Sequence, residues 1–214
     1  METRQKDNIT LIHGDCMDYM RSLPDNAFDL AVVDPPYGIN IGNGLGNGKK
    51  SYKMHKGWQF DAPSEEYFKE LMRVSRNQII WGGNYFTQFL PTSDGWIIWD
   101  KKKGSNLPFA EGEMAWCSIK KKLRIFRYCA SLRDKDGRIH PTQKPIALYS
   151  WILERYAKEG DKILDTHLGS GSSAIAAYDL GFEFTGIEID ETYYNNAYAR
   201  LNRHIENSQP TLAI

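Results

Sequence analysis

The chain has 214 residues, with 27 Lys and Arg against 27 Asp and Glu, 41% hydrophobic and 13% aromatic. This size and composition fit one domain with a sizeable core, residues 1–214, and exclude disorder for the bulk of the chain. No apolar run approaches the roughly 20 residues of a bilayer span, and the first ten residues lack the profile of a secretory signal. Three cysteines without C-x-x-C spacing argue against a disulfide framework or a zinc site, so a cytoplasmic protein with reduced thiols, no metal and no membrane partner is expected.

In chain order, residues 9–12 (ITLI) and 28–33 (FDLAVV) read as buried strands ending in polar loops at His13-Gly14-Asp15 and Asp34-Pro35-Pro36-Tyr37. Residues 65–75 space Tyr67, Phe68, Leu71, Met72 and Val74 as a helix does, with Ser64 as a plausible N-cap. Residues 78–81, 96–99, 114–119 and 123–128 are strand candidates, and Lys120-Lys121-Lys122 between the last two predicts a hairpin. A helix over 145–157, a strand at 163–164, a helix over 172–180 stopped by Gly181, a strand over 184–189 and a helix over 192–205 complete the pattern. Strands alternating with helices predict an α/β fold with a mostly parallel sheet and its site at the carboxyl ends of the strands.

The neutral total hides an asymmetry. Residues 41–140 hold 18 Lys and Arg against 10 Asp and Glu, an excess of +8 balanced by −8 in the flanks. A basic middle is what a phosphate-binding surface needs. The glycine-rich stretch 42–48, followed by Lys49 and Lys50, predicts a long loop and matches neither common nucleotide-phosphate spacing.

Asp34-Pro35-Pro36-Tyr37 would arise by chance in about one chain of this length in a thousand. Two prolines stiffen the backbone so that the Asp34 carboxylate and the Pro35 carbonyl can converge as acceptors on one planar amino group. Tyr37 offers a flat face to a planar ring. The second motif runs from Leu164-Asp165-Thr166-His167 through Gly169-Ser170-Gly171 into a helix, a G-x-G-x-x-A turn that lets backbone approach a nucleotide-like ligand. It is followed by Glu188 at the end of the next strand, 23 residues beyond Asp165, where an acid can accept ribose hydroxyls.

Together with His140-Pro141-Thr142-Gln143-Lys144-Pro145, these motifs resemble the S-adenosylmethionine-dependent amino-methyltransferases of DNA. In the β group of that family the catalytic motif precedes the cofactor motif, as here. The resemblance implies a Rossmann-like, circularly permuted methyltransferase sheet, mostly parallel with an antiparallel hairpin. It implies Asp34, Pro35, Pro36 and Tyr37 as the catalytic motif. It implies a cofactor site in which Asp15 and Cys16 meet the adenine side, Asp165, His167, Gly169, Ser170 and Gly171 the methionine half, Glu188 the ribose, and Thr142 and Lys144 the cofactor's carboxylate. Thr166-His167 stands where the family usually has Pro-Phe, so an imidazole takes the place of a packing ring. Residues 101–138, short and basic, occupy the place of the target-recognition region.

The implied activity is methylation of the exocyclic N6 amino group of a flipped adenine in double-stranded DNA, as in site-specific restriction-modification enzymes. Asp at the head of the motif resembles the adenine enzymes, while N4-cytosine methylation and RNA adenine methylation remain alternatives, and a homodimer is left open. The chain has no Pro-Cys dipeptide, which argues against methylation at cytosine C5 by a thiol nucleophile. A nicotinamide oxidoreductase would use the glycine turn and Glu188 but leaves Asp34 to Tyr37 without a role.

Overall fold

The computed structural model describes residues 1–38, 61–102, 110–120, 122–129 and 139–208. Its strands are β1 (Glu2–Lys6), β2 (Ile9–His13), β3 (Phe28–Val33), β4 (Ser75–Trp81), β5 (Gly95–Asp100), β6 (Gly112–Cys117), β7 (Arg124–Arg127), β8 (Lys162–Asp165) and β9 (Glu183–Glu188). The helices are α1 (Cys16–Arg21), α2 (Glu65–Val74), α3 (Ile146–Tyr156), α4 (Ser172–Asp179) and α5 (Glu191–Ser208). Among the described residues the strands form one sheet in the order β1-β2-β9-β8-β3-β4-β6-β5-β7.

The five strands from β2 to β4 are mutually parallel. Their register aligns their carboxyl ends: His13 lies opposite Glu188, Asp165 opposite Gly186, Ala31 opposite Leu164 and Val33 opposite Ile80. The loops beginning at Gly14, Asp34, Gly82 and Thr166 therefore open on one edge of the sheet, which is where doubly wound folds place ligands.

Side chains alternate along each strand, so each strand feeds two cores. Leu30, Val32, Ile79 and Trp81 pack on α3, α4 and α5, through residues such as Ile152, Ile175 and Leu201. Ala31, Val33 and Ile80 pack on α1 and α2, through Met20, Phe68, Leu71 and Val74. Ser64 is the N-cap of α2 as expected, but its side chain makes no capping bond, and Glu65 and Glu66 supply the first-turn charge instead.

Three features differ from the sequence expectation. Strand β1 carries no apolar residue, so no period-2 burial signal exists, and it is held as an exposed antiparallel edge on β2. The six-residue α1 is started by Asp15, whose carboxylate accepts from the Met17 N–H at 2.8 Å. The expected hairpin between β6 and β7 is not formed. Strand β6 runs antiparallel between β4 and β5, so both its edges are taken, and β7 pairs parallel with the free edge of β5. Part of the segment 101–138 is thus built into the sheet, with Ala115, Trp116 and Cys117 buried. The glycine-rich stretch 42–48 and Lys49, Lys50, Lys53 and Lys56 lie outside the described residues. Among the described residues no helix is long and apolar enough to cross a membrane.

Candidate active site

Asp34 leaves the end of β3 into the two prolines. Its Oδ1 accepts the Tyr37 hydroxyl at 2.7 Å, and its Oδ2 accepts Lys144 Nζ at 2.5 Å. Burial pushes its carboxyl above the ordinary range, Lys144 pulls it down, and Glu113 pushes it up again. Burial would discharge Lys144, but Asp34 and Glu113 raise its pKa and hold it as an ammonium. Glu113 of β6 is the second carboxylate on that ammonium, at 2.9 Å, and Lys101 reaches Glu113 from the other side at 2.5 Å. Burial works against the charge on Glu113, yet Lys144 and Lys101 hold it below the ordinary carboxylate range.

The ring of Tyr37 is fixed on several sides. It stacks on Tyr85 with centroids 5.2 Å apart and planes 18° apart, and meets Phe86 edge-on at 6.2 Å. Tyr85 ends a 3-10 turn (Gly83–Tyr85) entered from Gly82 at φ 70°, just after β4. Tyr85 is 48% exposed, so the stack lies at the mouth of the site.

The glycine turn after β8 is organised by two acids. Asp165 Oδ1 accepts the His167 N–H at 3.0 Å and Oδ2 accepts the Ser173 hydroxyl at 2.6 Å. Burial lifts its carboxyl to about 7 against the pull of these donors. Glu188 accepts the Gly169 N–H at 2.8 Å and the Asp190 N–H at 2.9 Å, tying the turn to the end of β9. Burial raises its pKa as well. Gly171 adopts φ 72°, and a Cβ there would meet the Ala197 Cβ at 3.1 Å, so a glycine lets α5 pack against the turn. A Cβ on Gly169 would meet the ring of His140 at 3.5 Å, which brings the His140 to Pro145 segment onto the same turn. His140 in turn packs edge-on against Tyr193, with centroids 4.5 Å apart.

His167 sits on α2. Its Nδ1 lies 2.9 Å from the Thr166 hydroxyl, and its ring packs edge-on against Tyr67 at 5.4 Å. Burial lowers its pKa to about 4, so at neutral pH it is an uncharged packing ring. Cys16 follows Asp15 at the end of β2, and burial, with Asp15 beside it, pushes its thiol up to about 12. A thiol so held is protonated and no nucleophile. Ser170 turns its hydroxyl toward Ser172 at 3.1 Å, and its carbonyl accepts from the buried Arg200 at 3.0 Å. The Thr142 hydroxyl lies 3.1 Å from His140 Nδ1.

The fold therefore collects the residues around Asp15, Asp34, Asp165 and Glu188 at one sheet edge. It puts Lys144 against Asp34, inside the catalytic motif. The sequence marks none of Glu113, Lys101, Gly82 and Tyr85 as a site residue, and Tyr67 only as part of the apolar face of α2. The Gly82-Gly83 pair after a buried strand is a signal that could have marked the turn holding Tyr85. Glu113 carries no such signal, because its partner depends on the sheet order. Among the described residues no cluster of His, Cys, Asp and Glu could hold a metal ion.

The family model described as DNA methylase, of the N6/N4 methyltransferase group, matches residues 76–199. The type II methyltransferase M.HinfI of Haemophilus influenzae is 27% identical to this chain, covering 90% of it and 68% of that protein. The type II methyltransferase M2.LlaDCHI of Lactococcus lactis subsp. cremoris is 25% identical, covering 93% and 91%. In fold, the chain is similar to M1.HpyAVI, solved as a complex with S-adenosylmethionine (TM-score 0.64, 21% identity, 91% of this chain and 99% of that one). It is similar too to the cytosine-N4-specific PvuII DNA methyltransferase (TM-score 0.63, 12% identity, 96% and 94%).

Proposed function

The chain belongs to the N6/N4 DNA methylase family and is a DNA amino-methyltransferase; on that premise we propose that it methylates the N6 amino group of adenine in double-stranded DNA, using S-adenosylmethionine. The observation that carries the assignment of the reacting centre is Asp34, a half-buried carboxylate just after β3, oriented by the Tyr37 hydroxyl and Lys144. The type II names of its relatives and the Asp at the head of the motif support a site-specific adenine enzyme.

The turn and its acids fit the cofactor. Glu188 is buried at the end of β9 with one backbone donor on each oxygen, and each carboxylate oxygen has a second lone pair for a ribose hydroxyl. Asp15 is exposed at the end of the neighbouring β2, within the same edge, for the adenine side. Gly169 and Gly171, both at positive φ, keep the turn free of side chains. Asp165 shapes it from below through His167 and Ser173. When bound, S-adenosylmethionine supplies a methyl group already activated by its sulfonium.

The residues of this chain then orient and desolvate. Asp34 and the Pro35 carbonyl accept the two amino hydrogens of the target and leave the nitrogen lone pair directed at the methyl carbon. The target nitrogen would take up the methyl group that S-adenosylmethionine supplies. The nitrogen gains a positive charge and then gives up one proton, for which Asp34 is the acceptor in contact. Tyr37 stacks on the flipped base, worth about 1–3 kcal/mol, against an extrusion cost of a few kcal/mol. The basic segment around residues 101–138 supplies phosphate contacts.

The test is to incubate the purified protein with duplex DNA and labelled S-adenosylmethionine and to analyse the nucleosides. N6-methyladenine is expected. N4-methylcytosine alone would overturn the adenine assignment, and label appearing only in RNA offered alongside would overturn the DNA substrate.

A further inference from the structure

Four charged side chains of alternating sign form one connected series that starts at the reacting centre: Asp34, Lys144, Glu113 and Lys101. The side chain of Lys144 is 2% exposed, so its ammonium cannot reach water and must divide its hydrogens among the groups around it. It gives one to Asp34 Oδ2 at 2.5 Å and one to Glu113 Oε2 at 2.9 Å, with the Tyr37 hydroxyl at 3.4 Å. A single buried cation on a single carboxylate would neutralise it and weaken it as an acceptor. Here a second carboxylate competes for the same cation, and Lys101, 14% exposed, anchors that competitor on its outer side.

We propose that Glu113 is a positioning residue for the methyl-transfer centre: by drawing Lys144 partly away from Asp34, it keeps Asp34 a strong acceptor for the target amino group. Lys144 is by the same geometry the cation of the catalytic carboxylate. The charge state of Asp34 is also felt by Tyr37 on its own loop, Tyr67 of α2, Asp165 of β8 and Tyr149 of α3, none of which brings a second cation to it. The catalytic meaning rests on the proposed methyl transfer, but the electrostatic relationship does not.

The experiment follows the side-chain carboxyl carbon of Asp34 by NMR through a pH titration of the full chain without DNA or cofactor, with the resonance assigned by its loss in Asp34→Asn. Removing the negative charge next to Lys144 leaves that cation wholly on Asp34, so Glu113→Gln should lower the Asp34 midpoint by about half a pH unit or more. Lys144→Met should raise it by at least as much. An Asp34 midpoint that is unchanged or raised in Glu113→Gln overturns the inference. Should Glu113→Gln not fold, Lys101→Met leaves Glu113 to Lys144 alone and so draws that cation further from Asp34; it should give a rise smaller than that of Lys144→Met, and no rise overturns the inference equally. In turnover, the acid limb of Glu113→Gln should move to lower pH and kcat should fall several-fold, with KM for S-adenosylmethionine unchanged. The predicted order of midpoints in a protein that methylates no DNA would sink the proposed function alone. A methylating enzyme without that order would sink this inference alone.

Discussion

The space that a side chain at Gly82 would need is filled by the ring of Tyr37: a Cβ there would lie 2.2 Å from Cε1 and 2.4 Å from Cδ1. The turn after β4 and the loop after β3 are thus fitted to each other, glycine against tyrosine, and the ring has no room to tilt toward Gly82. The φ of 70° at Gly82 adds a second requirement for glycine. Gly82→Ala should push the Tyr37 ring out of its stack on Tyr85 and cost about 1–2 kcal/mol in backbone strain. The expected readout is a lower Tm together with a loss of kcat, while calorimetric affinity for S-adenosylmethionine stays within about twofold. Full activity in Gly82→Ala would show that the Tyr37 position is not set by this contact.

Asp34→Ala should abolish methyl transfer while cofactor affinity falls far less, because in the proposed reaction Asp34 is the acceptor for the target amino group and Glu188 and Asp165 are the acids on the cofactor side. Glu188→Ala should do the reverse at subsaturating cofactor. It also strips the Gly169 and Asp190 N–H groups of their acceptor. Each such charge-assisted bond is worth about 1.5–3 kcal/mol. Calorimetry and steady-state rates on the two variants separate the roles. Near wild-type turnover in Asp34→Ala would overturn the catalytic assignment.

How far the sequence could be read follows from where burial leaves a local trace. Strand β3 carries an apolar run and occupies the expected residues 28–33, and the acids and glycines that follow β3, β8 and β9 are visible because strand ends and turns are marked by chemistry. Strand β1 is invisible because Glu2–Lys6 buries nothing. The partners of β6 and β7 leave no local trace: Lys120 and its neighbours look like a turn, while strand order is decided by which edges other strands leave free. The same reason hid Glu113: only the insertion of β6 between β4 and β5 carries it to Lys144. Lys144 itself was singled out by its motif, and its partner in space is the Asp34 carboxylate.

Two titratable groups at the turn, Asp165 buried and His167 half-buried, should shape stability in opposite directions. Asp165 has its pKa raised from 3.8 to about 7, so between those values the folded state holds the extra proton and stability falls as pH rises. His167 has its pKa lowered from 6.5 to about 4, so between those values the unfolded state holds the extra proton and stability falls as pH drops. His167→Gln removes the second effect. Relative to wild type, this variant should gain up to about 3 kcal/mol as pH is lowered from 6.5 toward 4. Urea unfolding at several pH values checks it, and a difference from wild type that does not change over this range would show that His167 is not held neutral.

Lys120 and Lys122 are exposed beside β6 and β7, at the far side of the sheet from β1, and Arg124 and Arg127 extend the same basic run along an exposed strand. Lys121 lies outside the described residues. Exposed lysines contribute little to folding, so replacing Lys120, Lys121 and Lys122 by Ala should leave Tm nearly unchanged. On duplex DNA, affinity should fall with salt at a log-log slope of about −0.9 for each phosphate neutralised, and the triple variant should give a shallower slope by that amount for every lysine that touches phosphate. Tyr37→Ala should leave the slope alone and instead weaken capture of the flipped base by about 1–3 kcal/mol, because stacking releases no counterions. A triple variant with the wild-type slope would place the DNA backbone on another face, and a Tyr37→Ala variant with a changed slope would mean that this ring orders a phosphate contact rather than a base.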